Sequence, residues 1–544
     1  MNLRILFASI RGSAVRGGPT KTGGCSDAWP LLALVLGWGM YAGRFWLHAP
    51  RPIGASDDLV LYLAAALRLN EPTLFARDQG YQAMAQALEP LVYTRILACL
   101  LRYVASPEWL AVVLSSFLLL LFSLGVYFLV KALTDSPGAA LSVAFISLRP
   151  RMGLLAEWGI VMGEPLARSF ILAASPWILL SIWRLRRDPH RLILPGIIIG
   201  LSGLLHPLSA LHLALLTLAQ EALMSEGARS LLFLGGGALV GALPAIWNQV
   251  GLIAGAPAPL WFLRFRNPEL LPSGARAIVG FLAYDLGVPL ILAGLTWKAA
   301  RKHLPSVTYS WVRAGIVAAI LLSVASLLAS YFPFLARLSL GRISGYAYLF
   351  LSIVILTSAW EWWRGQPRRR FAAGMVAASL ALSTGAYWDV FLDRSFSLAG
   401  APIGPRASWY PSRPPESVPS IPAFRPELDP SAFRELCGWI NSSTSPEAVF
   451  LTPPADPAAI RVYAKRGIVI SWKDAGLMIH SAVSANAWYA RYREVVSAYA
   501  DHDPQALVAA GRRLGATHIL MGRPAPPLPL EQLFANRAFV VYRL

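Results

Sequence analysis

Two adjacent carboxylates, Asp57 and Asp58, closely follow the first apolar stretch of the chain. A carboxylate at a membrane surface can act as a general base toward an acceptor hydroxyl or amine. Its hard oxygens can also bind a divalent cation. Both residues stand directly before the apolar run 59–69, so capping of a helix N-terminus is an equally ordinary role for them. The pair is the first candidate for catalytic residues, with the capping alternative open.

Further ionisable residues lie between two later apolar stretches: Arg149, Arg151, Glu157, Glu164 and Arg168. Charges at membrane depth are costly and usually have a partner or a task. An arginine guanidinium donates two parallel hydrogen bonds, which suits an anionic phosphate. We therefore predict that these residues bind substrate, although Glu164 and Arg168 are spaced for an internal ion pair. Glu164 is also a candidate metal ligand beside Asp57 and Asp58.

His206 stands before Pro207 at a break in a long apolar region. A proline leaves backbone groups without helical partners, and at membrane depth these need a polar or wet setting. His206 is thus a candidate for contact with substrate, against the alternative of a hydrogen-bonded packing residue. The remaining candidates lie in other predicted external loops: Asp78, Arg264, Arg266 and Arg342. The arginines can contact phosphate or extend along the membrane interface.

Membrane-spanning helices are the elements that must position these residues. Hydrophobic residues make up 56% of the 544 residues and charged residues 14%, against roughly 25% charged in a typical soluble protein. This excludes a disordered or fibrous protein and argues against a soluble enzyme. About eleven stretches are candidates to span a bilayer: 29–47, 110–130, 137–155, 166–184, 192–205, 207–224, 230–248, 277–297, 311–332, 344–362 and 371–390.

The net charge of +19 reports topology. With the N-terminus inside, the basic clusters at 184–187, 298–302 and 364–370 all fall on the cytoplasmic side, as the positive-inside rule requires. This predicts a multi-pass protein of a bacterial inner (plasma) membrane with its C-terminus outside, and no nucleic-acid partner. The three cysteines are far apart and indicate no metal site or disulfide framework.

Four segments are predicted along the chain. A basic cytoplasmic tail (1–28) precedes a polytopic α-helical transmembrane domain (29–390) with a large first external loop (48–108). Within that loop, residues 83–104 are predicted to form a helix along the membrane interface. A Pro-rich connector (391–430) leads to a small external α/β domain (431–544). Its predicted helices are 431–441, 486–500 and 504–514, and its predicted strands 448–452, 467–472, 517–521 and 538–542.

This arrangement resembles the GT-C superfamily of integral-membrane glycosyltransferases, which includes oligosaccharyltransferases, protein O-mannosyltransferases and aminoarabinose transferases. The resemblance lies in the first external loop with its early acidic motif, Asp57-Asp58, and in a second acidic external segment with Glu157 or Glu164. It implies a polyprenyl-phosphate-linked sugar donor in the lipid bilayer and transfer on the extracytoplasmic face. Asp57 or Asp58 would orient or deprotonate the acceptor, and external arginines would hold the lipid phosphate. A divalent cation, Mg or Mn, could be a cofactor.

The chain departs from oligosaccharyltransferases at one motif. It has Ser471-Trp-Lys-Asp474 where those enzymes carry Trp-Trp-Asp, so recognition of their peptide acceptor is not expected. Two other function classes stay open. A transporter or flippase of a lipid-linked or anionic substrate would show internal repeats with matching helix breaks. A non-catalytic membrane assembly protein would use the domain 431–544 to bind a partner.

Overall fold

The computed structural model describes residues 28–47, 58–104, 106–152, 157–224, 228–253, 256–266, 286–329, 332–365, 367–382, 429–453, 458–500 and 503–544. Asp57, most of the basic tail and nearly all of the Pro-rich connector lie outside these residues. The same holds for the side chains of Arg151, Glu157 and Arg264. The described chain forms a helical part (residues 28–382) and a sheet domain (residues 429–544).

Among the described residues, the helical part contains four helices that are long and apolar enough to cross a membrane: Pro107–Thr134, Ala228–Gln249, Ser306–Ser326 and Leu340–Trp363. Its described helices are α1 (Ala28–Leu47), α2 (Leu59–Asn70), α3 (Gln79–Leu88), α4 (Val92–Leu100), α5 (Pro107–Thr134), α6 (Pro137–Ser147), α7 (Ala167–Leu185), α8 (Ile193–Ser202), α9 (Pro207–Leu223), α10 (Ala228–Ile253), α11 (Leu260–Arg266), α12 (Val288–His303), α13 (Ser306–Ala329), α14 (Pro333–Ala336), α15 (Ser344–Trp363) and α16 (Pro367–Leu382).

The predicted span 137–155 is wrong in its second half. Helix α6 ends at Ser147, and the chain then forms a two-stranded antiparallel hairpin of β1 (Arg151–Met152) and β2 (Glu157–Trp158). Pro150 lacks a backbone N–H, which fits its place outside the helix. At 1.5 Å per residue the eleven residues of α6 reach only about 16 Å, too short to cross a bilayer. The predicted interfacial helix 83–104 is likewise two helices, α3 and α4.

The break predicted at His206 is confirmed, because α8 ends at Ser202 and α9 begins at Pro207. Helices α8 and α10 touch backbone to backbone: a Cβ on Gly196 would lie 2.3 Å from the Leu234 oxygen, and one on Gly200 2.2 Å from the Ala238 oxygen. Small residues permit such close approach between helices in membranes. The two helices run in the same direction, so the residues that follow α8 lie at the same end as the last turns of α10.

The sheet domain has five strands in the order β4-β3-β5-β7-β6. The strands are β3 (Val449–Leu451), β4 (Gly467–Ile468), β5 (His518–Gly522), β6 (Gln532–Ala535) and β7 (Phe539–Arg543). Strand β3 pairs in parallel with β4 and β5, whereas β7 is antiparallel to β5 and β6. The helices are α17 (Pro430–Ser443), α18 (Ala459–Tyr463), α19 (Ala482–Ala500) and α20 (Pro504–Arg513).

Both faces of this sheet are covered, because side chains alternate between two apolar cores. In β5, Leu520 joins the core formed with α17, while Ile519 and Met521 join the core formed with α19 and α20. The four predicted strands and three predicted helices occur at the expected places, but the predicted strand 467–472 is only the two residues Gly467–Ile468. Helix α18 was not predicted. Strand β6 was not predicted, since it is a partly exposed edge strand with an irregular register.

The sheet domain and the helical part share one apolar core, which extends from α19 through the sheet to α2, α3 and α4. Aromatic rings of α11 pack on α19: Phe265 lies 5.2 Å from Tyr489 and Phe262 5.8 Å from Trp488, centroid to centroid. The Ala258 N–H donates to the Ile479 oxygen at 3.2 Å. The sheet domain is therefore docked firmly beside the ends of the helices.

Candidate active site

A cavity of about 390 Å³ lies where α2, the α8–α9 break, α11 and the sheet domain meet. Leu61 of α2, Ala87 and Leu88 of α3, and Leu91 form an apolar side, whereas polar and apolar residues are mixed elsewhere in the lining. The described polar residues that line it are Asp58, Tyr62, His206, Ser209, His212, Gln249, Arg266, Arg337, Ser339, Arg342, Lys473 and His480. Among these described residues one side chain is a carboxylate and four are cations, so the cavity suits an anionic ligand.

Asp58 occupies the N-cap position of α2, yet its side chain makes no capping hydrogen bond. Its Oδ1 instead accepts from Nζ of Lys473 at 3.0 Å, and 40% of the side chain stays exposed toward the cavity. Burial raises the pKa of this carboxyl, but the nearby Lys473 and Arg168 outweigh burial and hold the pKa well below its usual range. Capping therefore does not account for the Asp58 side chain, which is ionised and faces the cavity.

Three arginines supply most of the positive charge. The guanidinium of Arg266, at the end of α11, lies 5.1 Å from the ring centroid of Trp472, a cation–π contact. Arg337 and Arg342 come from the segment between α14 and α15. A hydrogen bond fixes that segment, because Nε2 of His212 donates to the Leu338 oxygen at 2.6 Å. Helix α15 then begins at Ser344 and is buried over most of its length.

His206 caps α9 and is held as a neutral ring. Its Nδ1 accepts from the Ser209 N–H at 3.2 Å, so in the neutral form Nε2 carries the proton. Burial, together with the charges of Arg168 and Arg342, lowers the pKa of His206 to about 3. The ring thus presents an N–H donor on a residue that lines the cavity.

The sheet domain closes the cavity with a short stretch, residues 471–480, which we call the wall segment. Ser471 and Asp474 form a reciprocal capping box at the start of the 3₁₀ helix Trp472–Gly476. The next three residues each contact a different side chain. The Trp472 ring lies under Arg266. Lys473 pairs with Asp58, and Asp474 pairs with Arg461. The sequence motif Ser471-Trp-Lys-Asp474 lies in this stretch, but the sequence alone gives no partner for Lys473.

A buried triad of Asp78, Arg461 and Asp474 locks the wall segment in place. Arg461 donates to Asp78 at 2.7 and 2.9 Å and to Asp474 at 2.7 and 3.0 Å, with all three side chains fully buried. Asp78 also accepts from the backbone N–H of Tyr81 and of Ile468. Its oxygens are thus engaged outside the cavity, so the prediction of Asp78 as a substrate-binding residue is corrected to a structural role.

The remaining predicted residues are placed differently. Arg168, in the first turn of α7, acts electrostatically on Asp58 and His206. Arg149 and Glu164 are not among the described residues that line the cavity. The structure therefore brings together Asp58, His206, Arg266 and Arg342 of the predicted set. Arg337, an external arginine that can contact phosphate in the same way as Arg342, also lines the cavity. Sequence reasoning missed Lys473 and His480, which reach the cavity through long-range packing.

The described residues do not fit a divalent cation. No group of three His, Cys, Asp or Glu side chains with suitable spacing occurs in the described part of the chain. Of the three predicted ligands, Asp58 alone is described as lining the cavity, and Asp57 lies outside the described residues. Asp58 already faces Lys473 and Arg168, whose positive charges oppose a metal ion at the same oxygens.

Comparison with known proteins gives three findings. Residues 431–495 match the family model "Domain of unknown function (DUF6798)", and this stretch includes the wall segment. No curated protein matches the sequence. Among solved structures, the Archaeoglobus fulgidus oligosaccharyltransferase tethered to an acceptor peptide is 12% identical with a TM-score of 0.49, covering 91% of this chain and 69% of that chain.

A second solved structure is the same archaeon's oligosaccharyltransferase AglB with an inhibitory peptide and a dolichol-phosphate. It is 12% identical with a TM-score of 0.46, again covering 91% of this chain and 69% of that chain. Its form with zinc and sulfate is 14% identical with a TM-score of 0.41, covering 91% and 68%. Similarity at this level is too low to transfer a function.

Proposed function

We propose that the protein is a membrane glycosyltransferase that moves a sugar from a polyprenyl-phosphate-linked donor to an acceptor on the extracytoplasmic face. One observation carries the proposal: the cavity joins a single described carboxylate to four described cations, beside helices apolar enough to lie in a membrane. A lipid-linked sugar phosphate has the matching parts, an apolar chain and an anionic link to the sugar. The cavity volume of about 390 Å³ is within the usual range for small-molecule sites.

The cations are suited to the leaving group. Transfer breaks the bond between the sugar anomeric carbon and a phosphate oxygen, and the bonding electrons stay on that oxygen. Arg266, Arg337 and Arg342 line the cavity and can stabilise the charge that develops there. Preorganised donors of this kind lower the barrier because they need no reorganisation during the reaction.

Asp58 is suited to the acceptor. The new bond forms between an acceptor oxygen or nitrogen and the anomeric carbon, and the acceptor proton passes to a carboxylate oxygen of Asp58. His206 can donate its Nε2 proton in a hydrogen bond to the phosphate or the sugar.

A lipid analysis in cells tests the proposal. A deletion strain is complemented with the wild type, with Asp58→Asn, or with Asp188→Asn, and its polyprenyl-phosphate sugars are measured by mass spectrometry. Asp188 is the matched control, because it is an exposed carboxylate that also pairs with a cation, Arg191, at 2.8 Å. We expect a lipid-linked sugar to accumulate in the deletion strain and with Asp58→Asn, and to return to normal with the wild type and Asp188→Asn.

The outcomes separate the assignments. Loss of a general base typically costs about 10² to 10⁴ in rate, so full complementation by Asp58→Asn, with equal protein levels, would exclude Asp58 as the base. An unchanged lipid and glycan profile in the deletion strain would reject glycosyl transfer itself. In that case the assembly-protein alternative would gain support.

A further inference from the structure

We propose that Lys473 is a catalytic residue that changes partner during the reaction: it holds Asp58 before the donor binds and moves to the donor phosphate afterwards. The move frees Asp58 for the acceptor, so the donor binds first. This inference rests on the proposed function and assigns a role to a residue of the sheet domain. It makes that domain part of the reacting centre.

The contact itself supports the exchange. Nζ of Lys473 donates to Oδ1 of Asp58 at 3.0 Å, and both residues line the cavity that also contains the three arginines. The Lys473 side chain is 15% exposed, and Asp58 is the one carboxylate among the described residues that line the cavity with it. A phosphate that enters this cavity is a second anion within reach of the same donor.

The backbone around Lys473 is fixed while its side chain can turn. The capping box of Ser471 and Asp474 and the buried triad hold the main chain on both sides of Lys473. From this anchored base, a flexible four-carbon stem carries an ammonium with three donors, which can be redirected without moving the domain. The exchange is therefore a local side-chain motion.

Charge competition gives the exchange its direction. Before the donor binds, Lys473, Arg168 and Arg266 all act on the charge of Asp58, which leaves this carboxylate a weak base. A bound phosphate attracts the same cations and repels the carboxylate. Once Lys473 turns to the phosphate, Asp58 has a vacant oxygen for the acceptor and becomes more basic. One motion of Lys473 thus stabilises the leaving phosphate and frees Asp58 to act as the base.

A double-mutant cycle on the full-length protein in nanodiscs tests the exchange. The probe is undecaprenyl phosphate, with undecaprenol as the neutral control, and its affinity is measured for the wild type, Asp58→Asn, Lys473→Met and the double variant. The double variant has lost both charges of the pair. Thermal unfolding of each variant checks that it is folded.

In the presence of Lys473, we expect Asp58→Asn to tighten probe binding about tenfold. The ammonium then no longer has to break a hydrogen bond to a carboxylate, and a charged hydrogen bond corresponds to about tenfold in affinity. In the Lys473→Met background the same change should gain clearly less, because it then relieves only the repulsion between the carboxylate and the phosphate. A salt bridge with a purely structural role would change the unfolding temperature without this coupling in affinity.

Two results overturn the inference, and they can be told apart. An equal gain from Asp58→Asn in both backgrounds shows that Lys473 is not shared between carboxylate and phosphate, and it leaves the proposed function intact. If none of the four folded proteins binds undecaprenyl phosphate more tightly than undecaprenol, the phosphate subsite is absent. The proposed function then fails together with the inference.

Discussion

The ammonium of Lys473 lies 3.0 Å from the carboxylate of Asp58, although 415 residues separate them in the chain. The contact joins the start of α2 to the wall segment of the sheet domain. It makes the cavity a composite of the two parts of the protein. The shape of the cavity therefore depends on the docking of the sheet domain against the helical part. Substitutions at that contact can test this dependence.

Replacing Arg461 with Met is expected to destabilise the protein by about 3–5 kcal/mol, because it leaves the buried carboxylates of Asp78 and Asp474 without their cation. Denaturant unfolding in detergent, followed by tryptophan fluorescence, measures the loss. The control is Arg513→Met, which removes an exposed partner of Glu494 and should cost no more than about 1 kcal/mol. Equal losses in the two variants would mean that the triad does not hold the domain.

Gly80→Ala is expected to disturb the same triad sterically. A Cβ at Gly80 would lie 2.7 Å from Oδ2 of Asp474 and 3.1 Å from Nη2 of Arg461. Gly438, within α17, is the matched control because its added Cβ meets nothing within 4 Å, and alanine favours a helix interior by about 1 kcal/mol. We expect the unfolding temperature to fall for Gly80→Ala and to stay level or rise for Gly438→Ala. A fall of the same size in both would contradict the close packing at Gly80.

Arg342→Gln is expected to weaken binding of undecaprenyl phosphate by about 10- to 100-fold, the usual value of a charge-assisted hydrogen bond. Binding of undecaprenol should not change, because the loss concerns the phosphate alone. Arg364→Gln is the control, since Arg364 is exposed and outside the described cavity lining. Unaltered phosphate affinity in Arg342→Gln would remove Arg342 from the proposed phosphate subsite.

The neutral state of His206 predicts a pH dependence of stability. Its folded pKa is about 3, whereas the unfolded ring has a pKa near 6.5. Between these values the unfolded state binds more protons, so the free energy of unfolding falls as the pH drops from about 6.5 toward 3. His206→Asn keeps a capping side chain and removes the titration. We expect its unfolding temperature to depend less steeply on pH in this window. Parallel pH profiles for wild type and variant would show that His206 is not buried as a neutral ring.

Much of the fold could be predicted because its signals are local. Apolar length indicates the helices, the His206-Pro207 pair indicates the break between α8 and α9, and short apolar runs indicate strands such as β5. The errors arose where tertiary contacts determine the local secondary structure. The edge strand β6 has little apolar pattern, and the hairpin after α6 interrupts a stretch that composition alone favours as a span.

The candidate site could be predicted in part for a similar reason. Asp58, His206, Arg266 and Arg342 stand out because ionisable residues beside apolar stretches need an explanation. Lys473 could not be assigned, because its partner depends on how the sheet domain docks. Asp78 illustrates the opposite error. Both Asp58 and Asp78 stand at the N-terminus of a helix. The buried contact with Arg461 distinguishes the structural carboxylate from the one that faces the cavity.

The shared construction of the cavity has a consequence for biosynthesis. Lys473 is added 415 residues after Asp58, a delay of roughly 20–80 s at 5–20 residues per second. During this interval the early helices can enter the bilayer, but the cavity lacks its last wall and its fourth cation. If the proposed function holds, a nascent chain cannot react with a lipid-linked sugar before residues 471–480 have been added and have folded against α2.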